Sequence, residues 1–218
     1  MRWMLLLGLG MAGFCTYAIV KKMVPLANTK KGVDKTNKID PRLSKSEWAA
    51  EKLRLQGLGN HMESYAKQKG YNSRHCFLLD MKLPSGRNRF FVFDLKNDSV
   101  LFAGLVTHGS GTTYSETVQY SNEIGSYCTS PGRYKIGAAY RGKFGLAYKL
   151  YGLDASNSNA YARAVVLHGH SCVPDQEIYP GEICESWGCP TVSPSFLEQL
   201  KTYLDNSEKP MLLWIVNQ

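Results

Sequence analysis

CFLLDMKLPSGRNRFFVFDLKNDSVLFAGLV, Cys76–Val106, carries three short apolar runs whose period tends toward two, the spacing of strands rather than helices. CFLLDMK (Cys76–Lys82), RFFVFDLK (Arg89–Lys96) and VLFAGLV (Val100–Val106) read as consecutive strands. Pro84-Ser85-Gly86 joins the first two, and a tight Asn97-Asp98 turn joins the second to the third. This stretch makes the body mostly β.

Outward from it, Leu146–Tyr151, Ala164–His168 and the terminal MLLWIV (Met211–Val216) are further strand candidates. Between the last two, SPSFLEQLKTYL places Ser193 and Pro194 at helix-start positions and Phe196, Leu197, Leu200 and Leu204 on one face. Upstream, Ser44 and Glu47 form a capping box, and the helical spacings Ala49 to Leu53 and Trp48 to Leu55 begin a stripe that Gly57 and Gly59 interrupt. Asn60 with Glu63 then caps a second short helix to about Lys69. No internal repeat is visible. The expected organisation is a leader over residues 1–20, a basic tether over 21–43, a short helical lead-in over 44–72 and a β-rich domain with a few short helices over 73–218.

Apolar content of 44%, 13 Tyr and 20 Gly suit a strand-rich globular body, and a charged content of 20% excludes wholesale disorder. The net charge of +8 does not belong to that body: Lys21–Lys45 holds eight Lys or Arg against two Asp, whereas residues 46–218 hold 17 basic against 16 acidic residues. No aromatic residue interleaves the basic segment, so nucleic acid is not the expected partner; anionic lipid or other polyanionic surroundings fit better. Before it lies WMLLLGLGMAGFCTYAIV, Trp3–Val20, an uncharged run long enough for a signal peptide or a membrane anchor, here an N-terminal apolar helix. Lys21, Lys22, Lys30, Lys31 and Lys35 outweigh Arg2, which by the positive-inside rule would hold the body in the cytoplasm. The site chemistry favours export instead, to the periplasm or cell envelope.

Six cysteines include Cys15 in the leader, leaving Cys76, Cys128, Cys172, Cys184 and Cys189. Five is odd, so an exported monomer keeps at least one free thiol. AVVLHGH (Ala164–His170) delivers His168 at a strand end, and ESWGCP (Glu185–Pro190) follows with Cys189. An imidazole beside a thiol raises its thiolate fraction, and Gly188 lets backbone N–H groups at 188 and 189 approach an oxyanion. Two rival readings use the same residues. His168, His170 and Cys172 alternate along one segment with Cys184 and Cys189 nearby, but without a CxxC pair or an HExxH helix no metal is expected. A Cys172–Cys184 disulfide, stapling the loop between the two motif halves, fits better than zinc; spacing leaves the pairing among Cys76, Cys128, Cys172 and Cys184 open.

SNEIGSYCTSPGRYKIGAAYRGKFGLAYKLYGLDASNSNAYARAVVLHGH, Ser121–His170, followed by SWGCPTVSP, Ser186–Pro194, closely resembles the murein L,D-transpeptidase catalytic domain family, in a YkuD-like branch. The likeness runs from about Phe90 to the end and joins His168-Gly169 to Ser186-Trp187-Gly188-Cys189 in the family's order. It implies a β-sandwich-type catalytic domain without cofactor, acting on peptidoglycan stem peptides. It also implies Cys189 as nucleophile, His168 as general base, the Gly169 carbonyl as its orienter, and Gly188 with Cys189 as the oxyanion hole. By the same resemblance D-Ala leaves a tetrapeptide stem, and an amine of a second stem resolves the acyl-enzyme as a 3-3 cross-link. Water as acceptor would make an L,D-carboxypeptidase or a link hydrolase, and loss of turnover a wall-binding module. Better-known members have His where Trp187 stands, exchanging an imidazole for a stacking wall with one N–H. Around the site, Ser186 is expected to set the loop by hydrogen bonding, and His170 and His108 of HGSG (His108–Gly111) to line the substrate groove. Arg141, Lys143 and Arg163 are candidates for stem carboxylates, against an ordinary role as solvated charge.

Overall fold

Alternation of apolar side chains in the Cys76–Val106 segment places one set on each face of a sheet, and both faces need cover. A computed structural model describes residues 45–115 and 117–217. The leader, the tether and Ser44 of the capping box lie outside the described residues. In chain order the elements are α1 (Lys45–Lys69), β1 (His75–Asp80), β2 (Phe90–Asp94), β3 (Ser99–Gly104), β4 (Gly132–Gly142), β5 (Gly145–Gly152), a 3-10 turn at Ala155–Asn157, β6 (Val166–Gly169), β7 (Thr191–Val192), α2 (Pro194–Asp205) and β8 (Leu212–Val216). The eight strands follow the order β3-β2-β1-β8-β4-β5-β6-β7. The fold is mostly β.

Phe77 and Leu79 of β1, Phe90 and Val92 of β2, and Leu213 and Ile215 of β8 enter one apolar cluster, with Phe196, Leu197 and Leu200 of α2. Their neighbours Cys76, Leu78, Phe91, Phe93 and Leu212 enter a second cluster, with Leu55, Met62 and Ala66 of α1. Each helix thus covers one side-chain parity of the same strands. The first cluster also takes Tyr134 and Ile136 from β4, Tyr148 and Leu150 from β5, and Leu167 from β6, so both halves of the sheet wrap around it. The ends meet as well: beyond β3, Thr107 N–H donates to Thr191 O at 2.9 Å, and Gly109 bridges to Ser186. That contact brings the segment after β3 against the Ser186–Cys189 loop.

Two expectations about elements need correction. The lead-in is one continuous 25-residue helix, not two short ones. Gly59 does not break it: a β-carbon there would sit 2.4 Å from Phe93 Cε1, so the glycine is what lets α1 lie closely on β2. The longest strand, the 11-residue β4, is absent from the strand candidates above because Gly137, Ala138 and Ala139 dilute its apolar pattern. The register slips there, between Ile136 and Ala139.

Candidate active site

The β5–β6 register pairs Ala147 with His168, and the parallel β6–β7 register pairs His168 with Thr191, two residues beyond Cys189. His168 is 5% exposed. Its Nδ1 lies 3.1 Å from Gly169 O and its Nε2 lies 3.0 Å from Thr191 Oγ1. A carbonyl can only accept, so Nδ1 carries the proton and Nε2 presents a lone pair to the threonine hydroxyl. Burial, opposed by the Gly169 carbonyl and reinforced by neighbouring His170, lowers the His168 pKa below the ordinary imidazole value. The ring rests neutral near pH 7.

Cys189 is partly exposed as a residue, but the protein around its sulfur still dominates and pushes the thiol up; the Val166 N–H and Arg163 pull the other way. Sγ approaches Ala164 O at 3.9 Å, while the imidazole faces Thr191. The loop that carries Cys189 is braced by Ser186. Its Oγ lies 2.7 Å from Cys189 O and 3.1 Å from His108 O, and it accepts from Gly188 N–H at 3.2 Å. Gly188 has φ +101°, and a β-carbon there would meet Cys128 O at 2.7 Å, so both conformation and space require glycine.

His108 belongs to the same loop through its backbone: its carbonyl accepts Ser186 N–H at 2.9 Å. Its ring is set by Arg89, which is 1% exposed and donates to Val106 O, Leu83 O and, at 2.9 Å, to His108 Nδ1. Burial first, and the guanidinium second, lower the His108 pKa from 6.5 to about 4. Its Nε2 therefore carries the proton, 3.5 Å from Glu185 Oε1. No sequence pattern marks Arg89 apart from a charge beginning an apolar run.

Trp187 is 75% exposed and packs at a tilt against Tyr127, with ring centroids 5.5 Å and ring planes 41° apart. His170 is exposed, and its Nδ1 accepts Cys172 N–H at 3.1 Å. Arg141 is exposed at the β4–β5 hairpin end, opposite Leu146. Arg163 does not reach outward. It donates to Ser121 O, Ser126 Oγ, Ser130 Oγ and Cys128 O beneath the Gly188 turn. Phe144, at the hairpin tip, joins the site without any mark in the sequence. It lies flat on His168 with centroids 4.7 Å apart and edge-on to His170 at 5.7 Å. Only the β5–β6 register brings it there.

Cys172 and Cys184 form a disulfide, which takes both sulfurs out of any zinc set, while Cys76, Cys128 and Cys189 are free. Among the described residues no group of three His, Cys, Asp or Glu side chains is placed to hold a metal ion.

Residues 49–213 match the YkuD_2 family, the L,D-transpeptidase catalytic domain; the match begins within α1, well ahead of Phe90. Among solved structures the chain is similar to the helical cell shape determining protein Pgp2 from Campylobacter jejuni, at 12% identity over 66% of this chain and 48% of that one, with a TM-score of 0.43. It is also similar to an L,D-transpeptidase from Mycobacterium smegmatis, at 14% identity over 66% and 58%, with a TM-score of 0.38. A third, the L,D-transpeptidase of Xylanimonas cellulosilytica, shares 14% identity over 70% and 68%, with a TM-score of 0.37. The chain spans about half the length of the first of these. No match was found among curated proteins. The family match covers more than half of the sequence, and on it the chain belongs to the L,D-transpeptidase catalytic domain family.

Proposed function

We propose that the protein is a cysteine L,D-transpeptidase that joins peptidoglycan tetrapeptide stems through a Cys189 acyl-enzyme. The observation that carries this reading is the parallel β6–β7 pairing, which puts Cys189 two residues before the partner of a His168 whose Nε2 is free of its proton. In the substrate complex the thiol leaves Ala164 O, the Thr191 hydroxyl yields Nε2, and the thiol proton passes to His168. Sγ bonds to the carbonyl carbon of the stem's L-centre, and the oxyanion is met by the Cys189 N–H, joined by Gly188 N–H as it exchanges its bond to Ser186. Collapse expels D-Ala, whose amine takes the proton from His168. The side-chain amine of a second stem then attacks the thioester, gives up a proton to His168, and leaves a 3-3 link with free Cys189. No step calls for a cofactor.

The same reading puts the body in the cell envelope on its Trp3–Val20 leader, supported by the Cys172–Cys184 disulfide, which belongs to an oxidising compartment. Trp187 and Tyr127 form a stacking wall for the acceptor stem.

Mass spectrometry of a disaccharide-tetrapeptide incubated with the protein and with Cys189→Ala tests it. Cross-linked dimers from the parent alone are expected. D-Ala loss without dimers would make it a carboxypeptidase, and unchanged substrate in both samples would favour a wall-binding module.

A further inference from the structure

Among the described residues, Arg163 is a guanidinium with no carboxylate among its acceptors. Nη1 donates to Ser121 O and Ser130 Oγ, both at 3.0 Å, and Nη2 donates to Ser126 Oγ at 3.3 Å and to Cys128 O. All four acceptors are neutral, so its charge stays uncompensated by them. That charge lies directly behind the nucleophile loop: a β-carbon on Gly188 would stand 3.2 Å from Nη2. The next residue, Ala164, holds a left-handed φ of 54°, and its carbonyl meets Cys189 Sγ at 3.9 Å.

Among the described residues, the other polar groups near the sulfur are turned to partners of their own. His168 is neutral with both ring nitrogens engaged, and exposed His170 turns Nδ1 to Cys172 N–H. The Tyr134 phenol, bonded to Ser130, is pushed up to about 12 by burial, while Glu185 faces His108. Burial favours the thiol over the thiolate, and the Val166 N–H and Arg163 oppose it.

We infer that Arg163 is the positioning residue of the Cys189 nucleophile: it pins the Ser121–Ser130 wall against Gly188 and supplies the fixed positive charge behind the sulfur. Both of its terminal nitrogens are engaged by protein acceptors. The inference rests on Cys189 being the nucleophile of the proposed reaction, but its test needs no turnover.

The test is the rate of Cys189 alkylation by iodoacetamide against pH, followed on the Cys189 peptide so that Cys76 and Cys128 do not contribute. Ser126→Asp keeps the guanidinium and sets a carboxylate against it. At pH 7 this variant is expected to react about five- to tenfold more slowly than the parent, with thermal stability equal or higher. Arg163→Gln should slow at least as much, and Arg163→Lys should recover most of the rate. A pH profile unchanged by Ser126→Asp would overturn the inference, as would Arg163→Lys as slow as Arg163→Gln. Ser126→Asp decides the matter even if Arg163→Gln does not fold. A shifted profile in a parent that turns over no muropeptide would sink the transpeptidase reading and leave this one standing.

Discussion

His108-Gly109 and His168-Gly169 are the same dipeptide, one beyond the end of β3 and the other closing β6, each braced against the Ser186 or Thr191 side of the Cys189 loop. Their protons sit on opposite nitrogens. Arg89 can only donate, so His108 must accept at Nδ1 and carry its proton on Nε2; Gly169 O can only accept, so His168 carries its proton on Nδ1. A single change of Nδ1 partner makes one imidazole a donor at Nε2 and leaves the other a lone pair there. The residue type does not assign the role; its neighbour does.

Replacing each histidine by Asn tests that division most severely. In His168→Asn the amide keeps a donor for Gly169 O without the Nε2 lone pair, whereas in His108→Asn it keeps an acceptor for Arg89 without the Nε2 proton. For His168→Asn, kcat/KM in muropeptide turnover should fall about 10²–10⁴-fold, and for His108→Asn about tenfold or less. Equal losses would mean that both rings move protons.

The glycines differ as sharply as the rings. A β-carbon on Gly109 would stand 2.2 Å from Tyr127 O, a backbone atom, whereas one on Gly169 would stand 3.2 Å from Pro194 Cα. Gly109→Ala should therefore cost about 3 kcal/mol or more in urea unfolding, and Gly169→Ala about 1 kcal/mol. The reverse order would show that the packing of Gly109 on the Tyr127–Thr129 backbone gives way more easily than the β6–α2 contact.

Acid should separate the two histidines next. His108 has a folded pKa of about 4 against 6.5, so the unfolded chain takes up the proton first. Its contribution is complete above pH 6.5 and is lost as pH falls toward 4, at about 1.4 kcal/mol per unit. Arg89, Glu182 and Glu185 face it. His108→Asn should flatten stability across that window, read as urea midpoints at about pH 7 and about pH 4.5. His168 is lowered in the same direction, so His168→Asn should flatten it as well. A parent slope unchanged by His108→Asn would mean that burial and Arg89 do not hold the ring neutral.

Much of this is legible in the sequence for reasons that are local. Phe77, Leu79, Phe90 and Val92 alternate with Cys76, Leu78, Phe91 and Phe93 because both faces of the sheet are buried, and an alternation of that kind survives without knowing what covers it. Cys189 and His168 are legible because a glycine marks each turn. What escapes is set by register. Phe144 reaches His168 only because Ala147 pairs with it, and Arg89 meets His108 only because Arg89 N–H bonds to Gly104 O and carries β3 past it. Gly59 misleads in the other direction. Its usual cost in a helix is about 1 kcal/mol, and here the contact with Phe93 that it permits outweighs that cost.

Phe144 gives the smallest and most local test of the comparison, since it touches one histidine and not the other. It is 50% exposed, yet it lies within 15° of parallel to the His168 ring and shields one face of a base that is neutral because water is kept from it. Such a stack is worth about 0.5–1.5 kcal/mol, and its loss leaves the Gly169 and Thr191 bonds in place. Phe144→Ala should lower kcat/KM only about two- to fivefold at neutral pH. With desolvation relieved, the His168 pKa rises toward its ordinary value, so the acid limb of the rate profile should move to higher pH. Protonation then removes the lone pair at a pH where the parent still holds it, and the deficit should widen on acidification. His108 lies outside the reach of this change, so the stability slope assigned to Arg89 and His108 should stay as in the parent. A uniform loss of rate at every pH would instead make Phe144 a wall for substrate, and the neutrality of His168 would then rest on the strand walls alone.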